Sequence, residues 1–195
     1  MAISFPLSLP AGNTVRSVEM SMLNAVAASR SPFTFSEQIH KWPGEAWAAT
    51  ITLKPMRRPD AEAWIAFLAS LRGAYGTFLL GDPYGCQARG SATSATITGA
   101  AGAETVSVTM SGTLLTGDYL QLGSGSDATL HKVLKDKSGS GSLEIWPALR
   151  KSRSGVSAVL TNPRGLFRLA SNETGWTANE LSLYGVSFPA IEAVS

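Results

Sequence analysis

The chain has 195 residues, enough for one large domain or two small ones, and its hydrophobic fraction of 44% excludes wholesale disorder. Only 15% of the residues are charged and the formal net charge is +2, which is too small to indicate a nucleic-acid partner. The single cysteine, Cys86, excludes an intramolecular disulfide framework, and no apolar run reaches the length of a membrane span. The N-terminal sequence lacks the basic region and the apolar core of a signal peptide, so we expect assembly in a cytoplasm.

The first quarter of the chain predicts an extended arm and three strands. Residues 1–16 contain two prolines and show weak periodicity, which favours an arm. Residues 18–22 alternate between apolar and polar side chains and predict a first strand, and residues 33–36 predict a second. Trp42-Pro43-Gly44 predicts a turn that leads into a third strand, Ala46 to Leu53, so the second and third strands are expected to form a hairpin.

A single long helical pattern follows, and it has signals at both ends. Pro59 suits the start of a helix and Asp60 places a negative charge near the positive end of the helix dipole, while Arg72 and Gly73 are typical of its end. The helix is therefore predicted over about 59–72, with a buried apolar stripe formed by Ala61, Trp64, Ile65, Leu68 and Leu71. Residues 77–80 then predict a buried strand.

The composition changes after residue 87, where Gly, Ser and Thr become dense. Short β segments separated by turn-rich breaks predict a small barrel or sandwich. The predicted strands span residues 95–98, 105–110, 119–122, 130–134, 143–146 and 158–161.

Longer strands return near the C-terminus, at residues 166–169 and 181–188, with Leu181, Leu183 and Tyr184 directed inward. These strands are expected to complete the sheet that residues 17–53 begin. The predicted fold is mostly β with one α-helix: a β-sandwich domain of residues 1–88 plus 163–195, with a small β-barrel or β-sandwich domain of residues 89–162 inserted. The inserted domain is expected to be separable.

No pattern in the sequence indicates catalysis, a cofactor or a metal. His40 and His131 lie alone in β segments, and nucleophile elbows, phosphate loops and dinucleotide fingerprints are absent. Cys86 lies near Arg89, but a packing role explains this thiol better than a lowered pKa does. We expect that the protein is not an enzyme.

The stretch PDAEAWIAFLASLRGAYGTFLLGDPYGCQARG resembles the core of distal tail (Dit-like) and minor tail proteins of long, non-contractile-tailed phages. In that group a strand, here WAATITLKPM, leads to a helix with W-x-x-F-L, a glycine turn, a buried F-L strand and a D-P/P-Y loop. The segments NPRGLFRLASNETGW and LYGVSFPAIEAV are also similar to the group. The similarity covers most of residues 44–90 and 160–195, whereas residues 91–160 match only in kind.

The resemblance implies a structural protein of the virion, located at the phage tail tip and assembled in the host cytoplasm. Copies of such proteins form a homo-hexameric ring that joins the tail tube to the hub or receptor-binding apparatus. The implied partners are the tail tube protein, the tape measure protein and the baseplate hub or receptor-binding protein. Nucleic-acid sequence recognition and membrane insertion are not expected.

A ring needs one surface patch that binds a different patch on the neighbour. Residues 18–26 and 46–53 are the strands expected to supply it by edge pairing. The candidate interface residues lie in the arm, the first strand and the predicted hairpin: Phe5, Leu7, Leu9, Met20, Met22, Phe33, Phe35 and Trp42.

Two other classes stay open. One is a carbohydrate-binding or adhesin module of the tail tip, with the inserted β domain as the binding unit. Its only aromatic residues between 91 and 160 are Tyr119 and Trp146, which argues against it. The other is a tail-tip hydrolase, which the absence of paired carboxylates or a triad disfavours.

Overall fold

The structure is a computed structural model that describes residues 3–12 and 14–194. Within them the fold is mostly β with one α-helix, as the sequence predicts. The first elements are β1 (Val15–Arg30), β2 (Glu37–Leu53), β3 (Met56–Arg57), α1 (Arg58–Leu71) and β4 (Thr77–Leu80). Next come β5 (Ala95–Gly99), β6 (Thr105–Met110), β7 (Thr113–Leu114), β8 (Tyr119–Leu122), β9 (Thr129–Val133), β10 (Lys137–Ser138), β11 (Gly141–Trp146) and β12 (Arg153–Ala158). The last strands are β13 (Gly165–Leu169), β14 (Trp176–Ala178) and β15 (Leu183–Glu192), and short 3₁₀ turns lie at Gly73–Tyr75 and Gly125–Asp127.

The main sheet joins both ends of the chain. It has seven strands in the order β1-β2-β15-β13-β4, with β3 and β14 also paired to β15. The N-terminal arm extends this sheet, because the Leu7 amide donates to the Thr77 carbonyl at 2.9 Å and the Leu79 amide donates to the Leu7 carbonyl at 3.0 Å. The arm is therefore part of the chain's own fold.

Helix α1 covers one face of the main sheet. Its buried side chains are Ala61, Trp64, Phe67, Leu68 and Leu71, which recur at three- and four-residue intervals. The Trp64 indole lies 6.2 Å from the Phe188 ring on β15 and donates a hydrogen bond to Thr14 Oγ1 at 2.9 Å. The helix ends where Arg72 adopts a left-handed conformation, with φ of 52°. The predicted stripe is confirmed except at Ile65, which is only half-buried; Phe67 lies in the core instead.

Residues 95–158 form a second, barrel-like sheet. Six of its strands are ordered β12-β5-β6-β11-β9-β8, and β7 pairs separately with β10. Reciprocal hydrogen bonds between Gln121 and Val159, at 3.0 and 2.9 Å, link the two outer strands and nearly close the sheet. A separate apolar core fills it, with Ile97, Leu114, Leu120 and Leu122 fully buried.

The two sheets nevertheless share buried surface. Tyr119, Leu130 and Trp146 belong to the barrel-like sheet but pack into the core of the main sheet. The connecting segments run side by side, since Ala88 donates to the Leu160 carbonyl and Asn162 donates to the Cys86 carbonyl. The division into two domains stays a prediction. Because these residues of the barrel-like sheet pack in the same core as Trp47, removal of the insert would expose the Trp47 side chain.

The predicted hairpin of residues 33–53 is wrong. Phe33 and Phe35 lie in the turn between β1 and β2, and Phe35 has a left-handed backbone with φ of 55°. Trp42-Pro43-Gly44 is not a turn but lies within β2. Ser31-Pro32 is typical of a turn. The apolar–polar alternation of residues 33–36 nevertheless favoured a strand there.

Two further strand predictions need correction. The strand predicted at 158–161 lies at Arg153–Ala158, because residues beyond Ala158 form only isolated bridges. The last strand begins at Leu183 and extends to Glu192, so its inward side chains are Val186, Phe188 and Ala190. Leu181 is exposed in the preceding turn, and Leu183 and Tyr184 are half-buried.

Replacement of Leu68 by Ala tests the helix packing. Because Leu68 is buried against the main sheet, Leu68→Ala should lower the free energy of unfolding by roughly 2–5 kcal/mol. Urea titration followed by circular dichroism measures this loss. Leu181→Ala, at an exposed position, is the matched control and should change stability by less than about 0.5 kcal/mol. Similar losses in the two variants would contradict the assigned packing.

His131 is fully buried inside the barrel-like sheet. Its Nδ1 lies 2.7 Å from the Pro147 carbonyl oxygen and its Nε2 lies 2.9 Å from Thr129 Oγ1. The neutral imidazole satisfies both contacts when Nδ1 donates and Nε2 accepts the hydroxyl proton. Burial, opposed in part by the hydrogen bond to Pro147, lowers the His131 pKa from 6.5 to about 4.

This burial predicts a loss of stability in mild acid. Below pH 6.5 the unfolded chain takes up a proton at His131, whereas the folded chain does so only near pH 4. The free energy of unfolding should therefore fall by about 2 kcal/mol between pH 7 and pH 5. Urea midpoints at the two pH values measure this. His131→Gln should remove most of the difference and His40→Gln, at an exposed position, should retain it; the reverse pattern would refute the assignment.

Candidate assembly surface

The β1–β2 hairpin extends beyond the rest of the molecule. Every residue from Ser21 to Arg30 and from Glu37 to Gly44 is exposed, whereas the inner half of β2 is buried at alternate positions. At about 3.3 Å per residue these two exposed stretches are roughly 26–33 Å long. A two-stranded ribbon of this length buries little of its own surface, and its large apolar side chains are exposed.

A bulge marks the boundary between the inner and outer halves. Asn24 pairs with Glu45 and Val26 pairs with Lys41, so that Trp42, Pro43 and Gly44 together oppose Ala25. Proline is tolerated here because the outer half of β2 has no second neighbouring strand. Gly44 is required by close approach, since a Cβ atom at this position would lie 2.9 Å from the Ala25 Cβ.

The outer hairpin exposes large apolar side chains. Phe33, at the tip, is 92% exposed. The register places Met22, Val26 and Ile39 on the hairpin face that continues the buried face of β2. The exposed apolar side chains of the hairpin are Met22, Leu23, Val26, Phe33, Phe35, Ile39 and Trp42. By the same register Leu23 lies on the opposite face, so these side chains do not form a single face. Their concentration on one exposed element is typical of an interaction site.

The predicted interface residues divide into two groups. Met22, Phe33, Phe35 and Trp42 are all exposed on the hairpin. Phe5, Leu7, Leu9 and Met20 are half-buried against the chain's own core. Leu23, Val26 and Ile39 were not among the predicted interface residues. Their exposure follows from the pairing of β1 with β2, and that pairing depends on the turn at residues 31–36, which the sequence analysis did not place.

Strand β1 forms one edge of the main sheet. No strand among the described residues pairs with the outer edge of β1, which is 16 residues long and contains neither lysine nor proline. Native edge strands usually carry such residues to prevent pairing with other chains. The expectation that residues 46–53 offer an edge is wrong, since β2 pairs with β1 on one side and with β15 on the other.

The insert holds the hairpin at its base. Trp146 Nε1 donates a hydrogen bond to Asn24 Oδ1 at 2.9 Å on β1. On β2, Lys41 forms ion pairs with Glu104 of the insert and with Glu45. Both hairpin strands are therefore fixed on the insert close to the bulge.

A buried ionic cluster joins the two sheets beside this base. Arg150 of the insert forms an ion pair with Glu192 of β15 at 2.7 Å and donates to the Glu45 carbonyl at 2.6 Å. Glu192 also accepts the Trp47 amide at 3.0 Å, and Glu45 accepts the Ala148 amide at 2.8 Å. Among the described residues, no buried side-chain nitrogen or oxygen lacks a hydrogen-bond partner.

Aromatic contacts add to this ionic cluster, and we call the two together the junction between the sheets. The Trp47 and Trp146 rings meet edge to face, with centroids 4.6 Å apart, and Trp47 Nε1 donates to the Leu130 carbonyl at 2.9 Å. Tyr119 and Trp146 are thus buried and offer no exposed platform for a sugar. This arrangement fixes the base of the hairpin on the insert.

The described part of the chain contains no group of three or more His, Cys, Asp or Glu residues arranged to hold a metal ion. None of its helices has the length and apolar character that crossing a membrane requires.

Neither models of known protein families nor curated proteins match the sequence.

Replacement of Arg150 tests whether its ion pair with Glu192 stabilises the junction between the two sheets. Arg150→Met leaves Glu192 buried without its cation, so the free energy of unfolding should fall by roughly 3–5 kcal/mol. Adding Glu192→Gln removes the uncompensated charge and should recover part of that loss. Urea titration of both variants measures the difference. Arg58→Met, which breaks the exposed pair with Glu62, should cost less than about 1 kcal/mol; equal losses for the two arginines would refute the junction's role.

Proposed function

We propose that this protein is a structural component of a phage tail tip. In this proposal it is a distal tail protein whose copies form a hexameric ring. The ring joins the tail tube to the hub or receptor-binding apparatus. The observation that carries the proposal is the projecting hairpin, whose outer half exposes large apolar side chains beyond its attachment to the insert.

The chemistry of the hairpin supports an assembly role. Aromatic side chains such as Phe and Trp can anchor protein interfaces, because they bury a large area with few rotatable bonds. A free strand edge adds main-chain hydrogen bonds to such a contact. The hairpin of one subunit therefore engages its neighbour, with Met22, Val26, Phe33, Ile39 and Trp42 as the contact residues.

The partners follow from the same proposal. The tail tube protein and the tape measure protein lie on one side of the ring, and the hub or receptor-binding protein lies on the other. The protein acts in the virion after assembly in the host cytoplasm, and it is not an enzyme. The alternative of a carbohydrate-binding insert is less well supported, since Tyr119 and Trp146 are buried in the junction.

The particle mass in solution tests the proposal. Sedimentation of the purified chain should give a species of hexameric mass. Met22 is half exposed on the apolar face of the hairpin, so Met22→Glu should give a folded monomer with an unchanged circular dichroism spectrum. Leu134→Glu places the same charge at an exposed apolar position of the insert and should leave the ring intact.

A chain that stays monomeric at every concentration, in the absence and presence of purified tail tubes, would refute the ring. A Met22→Glu variant that still forms it would remove the hairpin from the interface.

A further inference from the structure

A surface pocket of about 520 Å³ lies where the start of β1, the end of β2 and the β14–β15 pair meet. Its volume falls within the range of small-ligand pockets, about 300–1,000 Å³. The strand register builds it, because Ser187 pairs with Thr52 and Thr177 pairs with Gly185. We call it the strand-end pocket, and the lining residues that matter for binding are Arg16, Thr52, Trp176, Thr177, Gly185 and Ser187.

Trp176 presents an uncovered indole to this pocket. Its side chain is 52% exposed, whereas Trp47 and Trp64 are 1% exposed in the core. Within the described part of the chain, the Trp176 ring contacts no other ring and its Nε1 has no hydrogen-bond partner. Trp42, which is exposed on the hairpin, lies edge to face with His40 at 4.4 Å. The face of Trp176 is therefore available to a ligand.

The polar lining is rich in hydrogen-bond donors, and none of the described residues that line the pocket carries a carboxylate. Arg16 is exposed, and its guanidinium has no ion-pair partner among the described residues. Thr52 Oγ1 lies 3.2 Å from Ser187 Oγ. A Cβ atom at Gly185 would lie 2.9 Å from Thr177 Oγ1, so the glycine leaves room beside that hydroxyl. The pocket thus joins one unpaired cation to three hydroxyl groups.

This combination matches a saccharide unit that carries a carboxylate. The C–H groups on a pyranose face are weakly positive and stack on the negative face of an aromatic ring. A guanidinium binds a carboxylate through two parallel N–H···O bonds. Serine and threonine hydroxyls can both donate to and accept from sugar hydroxyls. A nucleic acid fits less well, because a single cation cannot neutralise a run of phosphates.

We propose that the strand-end pocket binds an acidic saccharide, with the pyranose ring on Trp176 and the carboxylate on Arg16. The site lies on the main sheet and not on the insert, whose Tyr119 and Trp146 are buried. It adds a ligand-binding activity to the proposed structural role, and it does not require the ring.

Isothermal titration calorimetry of the full chain with trigalacturonate and with sialyllactose tests the site. At least one of these acids should bind saturably at millimolar concentration. Its methyl ester lacks the negative charge and should bind about tenfold more weakly or worse, because it cannot pair with Arg16. If neither acid binds, or if acid and ester bind equally, the proposal is overturned.

Two variants assign the binding to this pocket. Trp176→Ala should raise the dissociation constant of the acid about tenfold or more, as the loss of one anchoring aromatic contact does. Arg16→Gln should do the same for the acid but change the value for the ester by less than about threefold. Trp42→Ala, at a tryptophan of similar exposure on the hairpin, is the matched control and should change binding by less than about threefold. All three positions are exposed, so the circular dichroism spectra should stay unchanged.

Three results would overturn the site. These are equal losses in Trp176→Ala and Trp42→Ala, acid binding that survives Arg16→Gln, and an oligothymidylate that binds as tightly as the acid. The last would assign the pocket to nucleic acid. An intact ring without saccharide binding would overturn this inference alone, whereas a chain that binds the saccharide but forms no ring would overturn the proposed function alone.

Discussion

The ion pair between Arg150 and Glu192 determines how the two sheets of this protein meet. Glu192 lies on the central strand of the main sheet and Arg150 lies in the connection between β11 and β12 of the barrel-like sheet, so the pair crosses the boundary between the two sheets. Each charge is buried and would be costly alone. The Trp47 amide also donates to Glu192 and Arg150 also donates to the Glu45 carbonyl, which ties the ionic contact to the strand that forms the hairpin. The orientation of the hairpin therefore depends on the insert, although no residue of the insert lies in the hairpin itself.

Much of the fold could be predicted from sequence, because the relevant signals are local. The helix shows its period, its proline start and its glycine end within about fifteen residues, and its buried face agrees with the structure at four of the five predicted positions. The strands of residues 105–110 and 119–122 are bounded by turn residues and were located correctly. Such elements need no knowledge of what packs against them.

The hairpin and the junction depend on partners distant in sequence, and there the sequence misled. Trp42-Pro43-Gly44 has the composition of a turn, but Ala25 on the opposite strand makes it a bulge. No local pattern indicated that Trp146 and Tyr119 of the insert would both contact Trp47 of β2. Nothing adjacent to Arg150 in the sequence indicates a buried partner, and only the fold brings Glu192 to it. Which residues are exposed on the hairpin depends on how β1 and β2 pair, and composition alone does not determine that pairing.

The bulge at Ala25 has a consequence for changes in hairpin length. Between Asn24 and Val26 one strand advances by two residues, while its partner advances by four from Lys41 to Glu45. The difference is even, so the alternation of side chains continues across the bulge without inversion. A single-residue insertion or deletion in one outer strand would instead exchange its apolar and polar faces, whereas a change of two residues would preserve them. During evolution the reach of this hairpin can therefore change in steps of two residues per strand while its contact face is retained.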